Sequence, residues 1–209
     1  GVLATNIDLS HTRITDGGLK VLKDTPNLAA ISLEHTETTD AGVKTLSESK
    51  LNKLKEINLH GTTVGDKGAE ALSKMIALQK LNLNDTNVSC DGAKSLSALK
   101  NLEVLTMDYS PVSDAGIASM KGMNNLRSLS LKGTPITDAS VKDLAQFKNL
   151  MLLDLADTHL STEKVEWLQR MMPRCVIIAP DGNGPAQARP PFPGLNTRLF
   201  NRRHDRQNK

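Results

Sequence analysis

Three histidines and one glutamate are the residues of this 209-residue chain whose types and spacing could do chemistry. His11 and His35 are 24 residues apart, His60 follows 25 residues later, and Glu34 directly precedes His35. If the chain stacks strands with this period, neighbouring imidazoles would lie about 5 Å apart. Imidazole nitrogens and carboxylate oxygens are common zinc ligands. Side chains in strict register point alongside one another rather than converge, so we expect no cofactor, and the histidines are only candidate metal ligands.

Charged side chains form a second group, because they flank pairs of apolar residues such as Ile7 and Leu9 at a regular spacing. If these pairs are strands of one sheet, one face carries seven acids and two bases, an excess of five negative charges: Asp8, Glu34, Glu56, Asp85, Asp108, Asp154 and Asp157, against Lys80 and Lys132. A focused negative field favours a protein with a basic surface. Tyr109 is the expected hot spot of this face. The predicted binding residues are Asp8, Glu34, Glu56, His60, Asp85, Asp108, Tyr109, Lys132 and Asp154.

Composition and motifs argue against several other functions. Aromatic residues make up only 2% of the chain, so aromatic stacking cannot be its main means of recognition. No apolar run approaches the roughly 20 residues that cross a bilayer. The sequence has no HExxH motif, CxxC pair, phosphate-binding glycine loop or GxSxG elbow. We therefore predict that the protein is not an enzyme and has no catalytic residue.

One unit recurs along the chain and must position these residues. Each copy begins at a leucine or isoleucine, and the interval is 24 residues except once, where it is 26. The seven starting residues are Ile7, Ile31, Ile57, Leu81, Leu105, Leu129 and Leu153. A period of this size indicates a solenoid, in which each unit buries its apolar side against its neighbours.

Each unit combines a strand pattern with a helix pattern. Apolar residues first alternate, as at Leu81 and Leu83, and then return after three residues, as at Ile117 and Met120. We expect a short strand, a turn and a helical segment in each copy, with successive strands pairing in parallel. An eighth strand at Val176–Ile178 falls one interval after the seventh and should close the sheet.

Polar residues also hold fixed positions in the unit. A hydroxyl that should bond the backbone after each strand is present at Thr12, Thr36, Thr62, Thr86, Ser110, Thr134 and Thr158. Helix N-caps are expected at Thr15, Thr39, Gly65, Ser89, Ser113, Thr137 and Ser161. An acid that should favour the dipole of its own helix follows at Asp16, Asp40, Asp66, Asp114 and Asp138, with Cys90 in the fourth copy. Close approach of neighbouring coils is expected at Gly18, Gly42, Gly68, Gly92 and Gly116.

These registered copies resemble the repeats of bacterial leucine-rich-repeat proteins of the TDxGL type, which are similar to ribonuclease-inhibitor-like and F-box-type repeats. The resemblance covers roughly residues 5–178. It implies an α/β solenoid, a leucine-rich-repeat horseshoe with a parallel sheet on its concave face and short helices on its convex side. It also implies a scaffold or recognition surface, which agrees with a non-catalytic protein-interaction module.

The repeat pattern stops near residue 178 and divides the chain into two parts. Residues 1–178 are the predicted solenoid of seven repeats plus a closing strand, and residues 179–209 are a Pro/Arg-rich tail. Six basic and two acidic residues give the tail a charge of +4, which leaves −1 for the solenoid in a chain of +3. We expect the tail to bind a second protein, or a neighbouring subunit of a larger assembly, through Phe192, Arg198, Phe200, Arg202 and Arg203.

Two other roles of the tail stay open. Its arginines could pair with the phosphates of nucleic acid or of an anionic membrane surface, while Phe192 or Phe200 stacks on bases or enters the interface. The tail could also lie as a regulatory plug in an acidic groove of its own chain or of a neighbour.

Overall fold

The computed structural model describes residues 5–181, and its strands form one parallel sheet in sequence order. The eight strands of this range are β1 (Asn6–Asp8), β2 (Ala30–Ser32), β3 (Glu56–Asn58), β4 (Lys80–Asn82), β5 (Val104–Thr106), β6 (Ser128–Ser130), β7 (Leu152–Asp154) and β8 (Val176–Ile178). The central residue of each strand pairs with the central residue of the next. The prediction of parallel strands in strict succession, including the eighth, is confirmed.

Each connection between successive strands contains a helical segment. The α-helices are α1 (Asp40–Glu48), α2 (Asp66–Leu72), α3 (Cys90–Leu96), α4 (Asp114–Met120), α5 (Val141–Leu144) and α6 (Thr162–Met171). A 3₁₀ helix at Gly18–Asp24 replaces the α-helix in the first copy, and another at Asp138–Ser140 leads into α5. The architecture is the predicted α/β solenoid. Within residues 5–181, no helix is long and apolar enough to span a membrane.

The core between the sheet and the helices is aliphatic. In the third copy, Ile57, Leu59, Val64, Leu72 and Leu78 are all completely buried. Their equivalents in the other copies join them in one continuous cluster. Burying one such side chain stabilises the fold by roughly 1.5–3 kcal/mol. Because each repeat can bury this row only against its neighbours, the repeats stabilise one another.

The hydroxyl row after the strands bonds the backbone as predicted. In all seven copies the hydroxyl donates to the carbonyl oxygen three residues earlier, at 2.6–2.7 Å. In the third copy the Leu59 carbonyl also accepts the backbone N–H of Thr62 at 3.2 Å. Side chain and backbone of one residue therefore fix the turn that leaves the strand.

The aspartate row joins each repeat to the next, a role that the sequence interpretation missed. Asp66 accepts the backbone N–H of Ser89 at 2.7 Å, the Ser89 hydroxyl at 2.7 Å and the N–H of Gly92 at 2.9 Å. Equivalent bonds to the following copy are made by Asp16, Asp40, Asp114 and Asp138. Each carboxylate thus accepts N–H groups near the start of the neighbouring helical segment, in addition to any effect on its own helix.

Gly42, Gly68 and Gly92 make room for those carboxylates, which confirms the predicted close approach of neighbouring coils at these three positions. At Gly18 the atoms nearest an added Cβ belong to Ile14 of the same copy, so the prediction is wrong there. A Cβ added to Gly92 would lie 2.5 Å from Asp66 Oδ1, and one on Gly68 would lie 2.6 Å from Asp40 Oδ1. Cys90 offers a poorer acceptor than aspartate: its Sγ lies 3.4 Å from the Ser113 backbone nitrogen. The link between the fourth and fifth copies is therefore weaker than the others.

The predicted helix caps are confirmed in part. Thr39, Ser89 and Thr137 accept the backbone N–H two residues further on, at 3.2–3.4 Å. The prediction for Thr15 is wrong, because the first helical segment has Gly17 as its N-cap. The backbone of Thr15 forms an isolated parallel bridge with Glu37 of the next copy instead.

Candidate functional site

The outward side chains of the strands share one face, as their register predicts, and Asp8, Asn58 and Asp154 hold equivalent positions on it. Part of this row is nevertheless buried: Ser32 and Asn58 are 1% exposed and Asn82 is 4% exposed. Asn58 Nδ2 donates to Ser32 Oγ at 3.2 Å across the strands. The middle of the concave face is therefore a hydrogen-bonded polar row, and more accessible side chains lie beyond the carboxyl ends of the strands.

A second row, which we name the rim row, follows the strands at those ends. Its backbone is left-handed in all seven copies, with φ between 50° and 66°, and its members are His11, His35, Gly61, Asp85, Tyr109, Gly133 and Asp157. The N–H of each member donates to the next copy, as from Tyr109 to the Lys132 carbonyl at 2.7 Å. The side chains of the non-glycine members are all exposed. The rim row thus presents exposed side chains from a backbone conformation that repeats in every copy.

Three residues at the carboxyl-terminal part of the rim form the tyrosine cluster (Tyr109, Lys132 and Asp157). The Tyr109 side chain is 49% exposed, and its hydroxyl donates to Asp157 Oδ2 at 3.3 Å. Lys132 Nζ lies 5.6 Å from the centre of the tyrosine ring and 3.5 Å from Asp157 Oδ2. The ring covers Gly133, where an added Cβ would collide with Tyr109 Cδ1. The hydrogen bond with Tyr109 raises the pKa of Lys132, so the ammonium stays charged.

Two predicted binding residues, Asp108 and Asp154, lie deeper beside the tyrosine cluster. Asp108 Oδ1 accepts the Ser130 hydroxyl at 2.5 Å and the Lys132 N–H at 3.1 Å. Burial raises the pKa of Asp108 to about 6, against the lowering effect of the Ser130 hydrogen bond, and nearby Asp154 raises it further. Burial also raises the pKa of Asp154. Asp108 therefore supports the loop beneath Tyr109 and carries only part of its charge near pH 6.

The amino-terminal part of the rim holds the histidine cluster (His11, Glu34, His35, His60 and Asp85). The rings of His11 and His35 stack with centroids 5.1 Å apart, and the rings of His35 and His60 meet edge to face at 4.6 Å. Burial lowers the pKa of His35, with His60 as the next cause. Ligand atoms of Glu34, His35 and His60 all lie within 4.8 Å of one another.

The histidines converge because the third copy keeps the register of the strands but carries its histidine one residue before the rim position. Its rim position is Gly61, and a Cβ there would collide with His35 Nδ1, so the absence of a side chain lets the His35 ring lie over the third copy. His60, one residue earlier, meets that ring at its edge. The expectation that the histidine side chains point alongside one another is therefore wrong for His35 and His60, although it describes His11 and His35.

Other predicted binding residues lie outside both clusters. Glu56 begins β3 and pairs with Lys80 at 2.5 Å, whereas Asp8 is an exposed residue of β1. The predicted tail residues lie outside the described part of the chain: Phe192, Arg198, Phe200, Arg202 and Arg203.

Sequence reasoning missed the part that Asp157 and Gly133 play in positioning Tyr109. A signal was present, because Gly61 and Gly133 share one position of the repeat and each follows a bulky ring in the preceding copy. Glycine at such a position indicates left-handed backbone or a close approach, and both conditions hold here.

Comparisons with known proteins agree with this fold. Three stretches, residues 5–23, 50–73 and 122–145, match the sequence model of a family described as Leucine Rich repeat. No curated protein matches the chain. The structure of an internalin C2 from Listeria monocytogenes is similar with a TM-score of 0.68 and 23% identity, over 83% of this chain and 70% of that one. A second internalin of that organism, inlF, gives a TM-score of 0.60 and 14% identity, over 81% of this chain and 52%, about half, of that one.

At these identities the internalins inform on the fold alone, and the TDxGL type of the repeats stays a prediction. The family match rests on three separate repeats, and the structure places these and the intervening copies in one register. The chain therefore has the leucine-rich-repeat fold.

Proposed function

We propose that this protein is a non-catalytic interaction or scaffold module that binds another protein through the tyrosine cluster and the acids around it. The observation that carries the proposal is the exposed ring of Tyr109. The backbone of Tyr109 is left-handed, and its side chain contacts Lys132 and Asp157. The leucine-rich-repeat fold supports a binding role by analogy.

The conformation of Tyr109 favours recognition over a purely structural role. A bulky residue with positive φ is a genuine outlier, since asparagine, aspartate and glycine adopt that region more readily. The ring also remains half exposed, so it does not recover this cost through burial in the core. A tyrosine already fixed by Lys132 and Asp157 would lose little conformational freedom on binding, which is the property of a good hot spot.

Charge supports a partner with a basic surface. Lys80 pairs with Glu56 and Lys132 pairs with Asp157, but with seven acids against two bases the concave face still has an excess of five negative charges. Asp85 remains 41% exposed at the rim, although it also contacts His60. An acidic surface of this kind accelerates the approach of a basic partner and orients it.

A pull-down with matched variants tests the role of Tyr109. Tyr109→Asn removes the ring while keeping a residue type that accepts positive φ. Ile76→Asn is the control, because Ile76 is an exposed apolar residue (65%) outside the concave face and the rim row. A genuine partner should bind the wild type and the control alike, and Tyr109→Asn should weaken its affinity by about 30-fold, or about 2 kcal/mol. Equal retention by all three proteins would refute the proposal.

The second part of the proposal concerns the basic tail, which we expect to bind a second protein or a neighbouring subunit. Its support is the charge of +4 on residues 179–209 beside a solenoid of −1. Nucleic acid or an anionic membrane surface is the alternative ligand, and the two cases differ in their salt dependence.

A further inference from the structure

We propose that Glu34, His35 and His60 bind one zinc ion at the amino-terminal part of the rim. This site is separate from the tyrosine cluster and does not depend on the protein-binding function. The observation that carries it is the convergence of two imidazoles and one carboxylate, whose ligand atoms all lie within 4.8 Å of one another.

The separation of the ligand atoms suits a site that closes on the ion. Ligands about 2.1 Å from a tetrahedral zinc lie about 3.4 Å from one another, so an approach of little more than 1 Å completes the geometry. All three side chains are at least partly accessible, and rotations about their own bonds can supply this movement. The fourth position of the tetrahedron would remain for water or for a group from a partner.

Neighbouring groups already orient two of the three ligands. His60 Nδ1 lies 3.2 Å from the Asn84 carbonyl oxygen and 3.4 Å from Asp85 Oδ2. Donation of the Nδ1 proton to these oxygens leaves Nε2 as the nitrogen that binds metal, an arrangement that zinc-binding histidines commonly use. Glu34 Oε2 accepts the Asn58 amide at 3.1 Å, which holds its carboxylate beside the imidazoles.

The donor set favours zinc over the alkaline-earth cations. Imidazole nitrogen suits zinc and its neighbours among the transition metals, whereas calcium and magnesium prefer oxygen ligands. His11 lies beside the site without being one of the three converging ligands. Its ring stacks on His35 and its Nε2 lies 3.7 Å from Glu34 Oε1.

Zinc titration of the untagged full chain, after chelator treatment, provides the test. Competition with a chromophoric chelator should show one zinc per chain. His35→Asn and His60→Gln should each lower the affinity at least 100-fold, while Asp85→Asn, which removes only the carboxylate that orients His60, should lower it about 10- to 100-fold. Asparagine replaces His35 because it accepts the left-handed backbone there.

Control variants decide whether this particular set of residues binds the ion. His159→Asn should retain the wild-type affinity, and His11→Asn should lower it much less than the ligand variants do, because His11 contacts two ligands but is not one itself. Circular dichroism should show that every variant is folded. Imidazole nitrogen NMR should show zinc on Nε2 of His60. The assignment fails if the wild type binds no zinc, if His35→Asn and His60→Gln bind it as tightly as the wild type, or if His11→Asn loses as much affinity as they do. Calcium binding of equal strength would also overturn it.

Discussion

Gly133 shows at the level of single residues how the rim row positions a side chain of the preceding copy. Its φ of 65° and the Tyr109 ring above it both exclude a Cβ. We expect Gly133→Ala to lower the free energy of unfolding by about 1–3 kcal/mol and to displace the ring from Lys132. Gly65→Ala is the control, because the backbone of Gly65 is extended and an added Cβ would have 3.7 Å to its nearest neighbour. Urea unfolding and the NMR shifts of the single tyrosine measure both effects; equal stability of the two variants would contradict this role of Gly133.

Asp108 makes stability depend on pH in the direction opposite to most paired carboxylates. Its folded pKa of about 6 lies above the ordinary value of 3.8. At a pH between these two values, the folded state therefore holds a proton that the unfolded chain has released. Stability from this group is fully present below pH 4 and is lost as the pH rises through 6, by roughly 3 kcal/mol at most. Asp108→Asn keeps an oxygen acceptor for Ser130 and for the Lys132 N–H, and it should remove this loss.

Urea unfolding of the wild type and of Asp108→Asn at pH 4 and at pH 7 measures this difference. Asp138→Asn serves as the control of opposite sign when the comparison is extended below pH 3.8, because the backbone N–H of Ser161 lowers the pKa of Asp138 and its contribution is lost only as the pH falls through that lower value. The interpretation of Asp108 is wrong if its asparagine variant loses as much stability as the wild type between pH 4 and pH 7.

The aspartate row shows at the level of elements that neighbouring repeats are joined by charged hydrogen bonds as well as by the core. Cys90 interrupts this row, and its sulfur is a weak acceptor for Ser113. We expect Cys90→Asp to raise the free energy of unfolding by about 1–2 kcal/mol, because a carboxylate can accept both the N–H and the hydroxyl of Ser113.

The reverse change in the preceding copy gives the matched control for Cys90. Asp66→Cys should lower the free energy of unfolding by about 2 kcal/mol, since it weakens three hydrogen bonds to Ser89 and Gly92. Equilibrium unfolding in urea measures both variants. If Cys90→Asp folds normally but is less stable than the wild type, the carboxylate row does not stabilise the junctions between repeats.

The period of the apolar residues allowed the elements to be predicted, whereas contacts between copies were harder to foresee. Alternation at positions such as Leu81 and Leu83 predicts the strands, and equal intervals predict their register. The sequence did not predict the hydrogen bonds from Asp66 to the next copy, because the dipole of its own helix already explained why an aspartate stands there. The sequence did not predict the convergence of His35 and His60, because it depends on His60 lying one residue before the rim position and on the missing side chain of Gly61.

Each repeat of the solenoid contacts only the repeats next to it, so a change at one end of the chain should leave distant repeats folded. The segment that follows β8 also contributes to the rim, because the Asp157 N–H donates to the Pro180 carbonyl at 2.8 Å. A truncated chain that tests the tail must therefore keep residue 180, or it will also disturb the backbone of the tyrosine cluster.

Deletion of residues 182–209 is the experiment that separates the two binding surfaces. The full chain, the truncated chain and Tyr109→Asn are compared by co-purification and analytical ultracentrifugation. We expect the truncation to abolish association with the second protein or neighbouring subunit while it preserves binding at the tyrosine cluster, and Tyr109→Asn to do the reverse. Binding of RNA or anionic vesicles that weakens steeply with salt, and that only the truncation removes, would favour the alternative ligands because phosphate contacts release counterions. If truncation leaves every association unchanged, the basic tail has no binding role.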